Sequence, residues 1–191
     1  NPTTSLEDDV AATKQAIDRA GGDVILVGHS WGGFVISEAG TDPHVKALVY
    51  VAALAPDAGE TIATLSAKAA PTQLSSFTQP VDGFITLTRE GIRKAFAGDL
   101  PEPEQDMVFS VQQPASASVF EAKASNAAWK QKPSWYIVAS EDGAINPDLE
   151  RLMAKRANAK TTVVKASHVP MVSRPKDVLK VVLEAAKSVE K

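Results

Sequence analysis

The stretch DVILVGHSWGGFVI, residues 23–36, decides how this chain is read. Residues 24–27, VILV, are a short β-branched apolar run bounded by turn residues, the pattern of a strand buried in a parallel sheet. WGGFVISEAG, residues 31–40, follows as an apolar helix that ends at Gly40. Between them, GHSWG fits G-x-S-x-G, with Gly28, Ser30 and Gly32 in register. A serine on so tight a strand-to-helix turn is held in a strained backbone conformation. Strand and helix nearly touch at the positions two before and two after it. Gly28 and Gly32 are therefore expected to be glycines because a Cβ at either would clash. The Ser30 hydroxyl is lifted above the strand's carboxyl end, near helix N–H groups that favour developing negative charge. The plainer reading makes Ser30 the N-cap of a helix after a glycine turn. A strand before the motif and a helix after it favour the nucleophile.

A serine hydroxyl needs a base, and the chain has three histidines. His29 adjoins Ser30 and is expected to point elsewhere on the turn. His44 precedes a strand, VKALVYVAA (45–53), and belongs to the opposite sheet edge. His168 follows a strand, KTTVVKA (160–166), at its carboxyl end, the edge where Ser30 sits. A carboxylate should orient the imidazole. Asp142 follows the strand WYIVAS (135–140) at the same edge, and is preferred over its neighbour Glu141 and over Asp57, the rival after strand 45–53.

The remaining elements alternate around these strands. Ser5 and Asp8 stand at capping-box spacing before a helix that stops at Gly21–Gly22. Asn146–Pro147 opens another, cap then proline. Pro175 begins the last, with Val178, Val182, Ala185 and Val189 on one face. Alternating strands and helices imply parallel βα units, an α/β fold with a mostly parallel sheet. The alternation breaks between Pro56 and Pro133, a region holding five of the six phenylalanines: Phe77, Phe84, Phe96, Phe109 and Phe120. It reads as an inserted, mainly helical cap. The organisation expected is core 1–56, cap 57–132 and core 133–191. The cap phenylalanines either line an apolar substrate site or form the cap's own core.

Composition excludes several classes. The chain of 191 residues is 44% hydrophobic and 23% charged, as in soluble globular domains. A net charge of −3 with scattered Lys and Arg gives no footprint for nucleic acid and no polybasic membrane patch. There is no Cys, hence no disulfide, thiolate metal site or cysteine nucleophile. No phosphate-cradling loop, dinucleotide fingerprint or metal-ligand spacing is present, so no cofactor is expected. The chain starts at Asn1 rather than Met, which leaves the compartment undecided.

GHSWGG, VKALVYVAALAPDAGE, PSWYIVASEDGAINPDLERLMAKRA and VKASHVPMVSRPKDV together resemble the α/β-hydrolase superfamily. Within it they are similar to the small cofactor-free esterase-like group that includes plant esterases and hydroxynitrile lyases. The resemblance implies a triad of Ser30, Asp142 and His168, with the backbone N–H of Trp31 as one oxyanion-hole donor. It implies a serine hydrolase that cleaves a small to medium carboxylic ester through an acyl-enzyme. Its partner would be a small-molecule ester. Hydroxynitrile lyases of the group carry a lysine directly after the triad histidine; Val169 stands there, which disfavours cyanohydrin cleavage. Family members begin with further strands and a loop that gives the second oxyanion donor, and these have no counterpart before residues 23–36. The expectation is that the sequence is one piece of a longer chain. The rival readings are a fragment completed by another polypeptide, or a shortened fold with altered or lost activity. Two alternatives to the esterase stay open: a non-catalytic or partner-completed module, and a lyase or perhydrolase using the same triad.

Overall fold

A computed structural model describes residues 4–190. Helix α1 (Leu6–Ala20) starts where Ser5 accepts the Asp8 N–H and stops at Gly21, whose φ of 66° only glycine adopts freely. It leads into β1 (Val24–Ser30), α2 (Gly32–Ala39) and β2 (Val45–Ala53). After residues 54–133 the alternation resumes with β6 (Ser134–Ala139), α7 (Pro147–Arg156) and β7 (Lys160–Val164). Two helices close the chain, α8 (Pro170–Ser173) and α9 (Pro175–Val189).

The four strands pair in parallel in the order β1-β2-β6-β7. β2 is central and alternates between two cores. Leu48 and Tyr50 face Phe34, Leu149 and Met153 from α2 and α7. Ala47, Val49 and Val51 face Val178, Val181 and Ala185 from α9. That double burial is why β2 reads as an unbroken apolar run. β1 and β7 are the edges among the described residues, and each turns a valine outward, Val27 and Val163.

The intervening segment is mainly helical, as expected, and holds in addition a small sheet. It carries short helices, α3 (Ile62–Ser66), α4 (Arg89–Gly91), α5 (Glu102–Val111) and α6 (Ser118–Glu121). It also carries an antiparallel sheet, β3 (Thr78–Val81), β4 (Phe84–Leu87) and β5 (Ala115–Ser116), in that order. The cause is local. Asp82 and Gly83 adopt φ of 50° and 80°, the left-handed pair of a tight hairpin turn, for which Asp-Gly is a strong signal. Pro80, which cannot donate to a ladder, sits on the edge strand β3. Residues Ile92–Phe96 form one π-helical turn after α4.

Candidate active site

The turn between β1 and α2 is strained as the motif requires. Ser30 has φ 53°, a left-handed conformation costly for any residue with a Cβ, and its carbonyl accepts the Leu54 N–H at 3.1 Å. A Cβ on Gly28 would lie 2.6 Å from the Gly32 carbonyl oxygen, so strand and helix do touch there. The expectation for Gly32 needs correction. A Cβ on Gly32 would meet nothing within 4 Å, because only its carbonyl faces the strand. The second spatially required glycine is Gly33, where a Cβ would lie 2.0 Å from the Leu54 carbonyl oxygen. It was hidden because the motif pattern ends one residue earlier.

Trp31 follows Ser30 at the start of α2. Its indole N–H donates to Asp9 Oδ2 at 2.8 Å and its ring stacks on Phe34. The elbow is thereby tied to α1.

His168 lies in the loop after β7, 1% exposed. Its Nδ1 stands 2.6 Å from Asp142 Oδ2. The other carboxylate oxygen of Asp142 accepts the Ala144 and Ile145 N–H groups at 2.6 and 2.9 Å. Burial pushes the Asp142 carboxyl up, but the neighbouring His168 and these hydrogen bonds outweigh it and hold the group below its usual range. With Nδ1 engaged, Nε2 is the ring nitrogen left for chemistry.

His29 is not a bystander. Its Nε2–H donates to the His168 carbonyl at 2.7 Å, and the two rings lie 4.7 Å apart. Burial, then the adjacent His168, lowers its pKa to about 3. Phe96, from the π-helical turn, packs edge-on against the His168 ring at 4.8 Å. Residue adjacency in sequence gave no hint of either contact.

The rivals sit elsewhere. Asp57 pairs with Lys130 at 2.5 Å near the surface. Glu141 faces Lys165 at 3.6 Å, and His44 is exposed beside Asp42.

Ser30, Trp31 and His168 line one cavity of about 550 Å³. Its wall is mostly apolar, from the core (Leu54, Leu149), the inserted segment (Ile62, Ile85, Leu87, Phe96, Val108, Phe120) and the loop after β7 (Val169, Met171). Among the described lining residues only the two histidines are ionisable. The cap phenylalanines therefore divide: Phe96 and Phe120 reach the cavity, Phe77 packs on Gly91, and Phe109 lies under the Arg89 guanidinium at 4.5 Å. Among the described residues no cluster of three or more His, Asp or Glu could hold a metal ion. None of the described helices is long and apolar enough to cross a membrane.

The chain belongs to the alpha/beta hydrolase family, whose model matches residues 1–181. It is similar to an alpha/beta hydrolase of Aspergillus novofumigatus, 28% identical over 97% of this chain and 80% of that protein. A carbendazim-hydrolyzing esterase of a Nocardioides species is 42% identical over 32% of this chain and 26% of its own length. Among solved structures, a pyrethroid hydrolase from Sphingobium faniae JZ-2 superposes with TM-score 0.79 at 25% identity, covering 97% of this chain and 79% of that one. Family and relatives make the chain a hydrolase of the esterase-like group.

Proposed function

We propose that the chain is a serine esterase acting on small to medium carboxylic esters with an apolar acyl or alcohol part. The observation that carries this reading is the union of three features at one cavity. They are a strained Ser30, a buried His168–Asp142 pair and an apolar wall. His168 Nε2 takes the Ser30 proton as Oγ bonds to the substrate carbonyl carbon. The oxyanion draws on the Trp31 N–H, and Asp142 stabilises the imidazolium. Collapse breaks the ester C–O bond, and His168 returns the proton to the leaving alcohol. Water, deprotonated by His168, then attacks the acyl-enzyme and releases the carboxylic acid and Ser30. Similarity to a pyrethroid hydrolase and to a carbendazim-hydrolyzing esterase supports a hydrolytic reading.

A fluorophosphonate probe is expected to label the protein at one residue, and Ser30→Ala to abolish labelling. Equal labelling of the variant would place the nucleophile elsewhere. No labelling of the intact protein would remove the serine mechanism.

A further inference from the structure

Behind Asp142 lies a second carboxyl group that the proposed reaction does not use. Glu150, on α7, is completely buried. Its Oε2 accepts the Ala139 N–H at the end of β6 at 3.0 Å. Its Oε1 is buried with no donor to receive. Both residues are anchored on Ala139, Glu150 by accepting its N–H and Asp142 by donating its own N–H to the Ala139 carbonyl at 3.3 Å, which brings the two buried carboxyl groups side by side. Two carboxylates are acceptors only, so a bond between them requires one proton. The surroundings decide its owner. Asp142 already has two N–H donors and His168 beside it, all of which favour the anion. Glu150 has one N–H, and a second carboxylate as neighbour.

We propose that Glu150 is a neutral carboxylic acid that donates Oε1–H to Asp142 and so holds the aspartate against His168. It is a positioning residue, and this role rests on the triad reading above. Burial first, then the Asp142 charge, pushes the Glu150 pKa up to about 10, against the pull of the Ala139 N–H. The other groups around it do not change the assignment. The Tyr136 hydroxyl of β6 donates to the Ala53 carbonyl, and Arg151 is turned to the surface toward Asp148.

Two measurements test this. The first is kinetic, with an apolar p-nitrophenyl ester. Glu150→Leu removes the donor and is expected to lower kcat about 10-fold with KM nearly constant. It is also expected to move the acid limb of the kcat/KM profile to higher pH, because an aspartate without that donor raises the basicity of its histidine. Glu150→Gln, which keeps an N–H donor in place of the O–H, is expected to rescue most of the rate and the limb. An unshifted limb in Glu150→Leu overturns the positioning role, and so does a Gln variant no better than Leu.

The second measurement needs no turnover. In a Ser30→Ala background, thermal stability is compared with and without Glu150→Gln from pH 5 to 9. A carboxyl that keeps its proton when folded and loses it when unfolded gives its parent less stability as pH rises. The Gln variant should therefore gain Tm relative to Ser30→Ala across that range. A Tm difference that does not change with pH means Glu150 is ionised and overturns the proposal. Absence of fluorophosphonate labelling with a pH-dependent Tm difference would fault the triad and the positioning role, while supporting the proton on Glu150.

Discussion

Ser30 is held by what its neighbours lack. Gly28 lets the strand approach the helix, and Gly33 lets the helix approach the chain after β2, where any Cβ would overlap the Leu54 carbonyl. Gly33→Ala is therefore expected to cost about 1–3 kcal/mol or more through overpacking. Gly32→Ala meets open space and trades a poor helix former for the best one, so its Tm should equal or exceed the parent's. Thermal melts of the two variants side by side check this; similar losses in both would mean the turn tolerates no Cβ at all. His29 shows the same dependence on close neighbours. Lowered to about 3, it stays neutral in any ordinary buffer and acts as a fixed donor to the His168 carbonyl. Ser30, His168 and Asp142 were legible in the sequence because each follows an apolar strand at the same end. His29 was misread because adjacency along a strand says nothing about which loop its ring meets.

The elements are tied together by charged side chains at the two ends of the inserted segment. At its start, Glu60 receives both Arg156 guanidinium nitrogens from α7, at 2.8 and 2.9 Å, and Arg156 also donates to the Ala55 carbonyl. At its close, Glu38 on α2 accepts the Asn126 N–H and side-chain amide at 2.9 and 2.7 Å. Burial alone would raise the Glu60 carboxyl, but Arg156, the Asp57 N–H and Lys68 outweigh it and bring it down to about 2. Its folded value lies below its unfolded one. The stability it contributes is therefore full above about pH 4.5 and is lost as pH falls toward 2. Arg156→Met should cost about 1–3 kcal/mol at neutral pH and make the acid-side fall shallower, read by denaturant unfolding at pH 3, 5 and 7. An unaltered acid slope would show that Glu60 does not draw its ionisation from Arg156. Helix α7, which carries Arg156, was readable from its cap at Asn146–Pro147. The hairpin within the segment was signalled by Asp82–Gly83, a turn pair that the overall helical pattern of the segment obscured.

At the scale of the molecule, the parallel sheet supplies the rigid carboxyl edge and the inserted segment supplies the apolar wall over it. The cavity of about 550 Å³ is within the range that encloses a drug-sized ligand. Burial of apolar area predicts that kcat/KM for p-nitrophenyl esters rises about fourfold for each added methylene until the cavity is filled, from about 0.8 kcal/mol per buried CH₂. A flat chain-length profile would mean the acyl group lies outside this wall. Filling the wall with Val108→Trp should move the optimum to shorter esters.

The sequence by itself determined the strand–helix alternation, the elbow, and the order Ser30, Asp142, His168. Each of these depends on local periodicity or on turn chemistry within a few residues. Only the tertiary structure decided that Gly33 rather than Gly32 lacks room for a side chain, that the inserted segment builds a sheet, and that Glu150 is sealed behind Asp142. Those facts concern which surface of an element meets another. A glutamate between Leu149 and Arg151 is compatible with either side of α7, and only the packing of that helix on β6 turns its carboxyl inward.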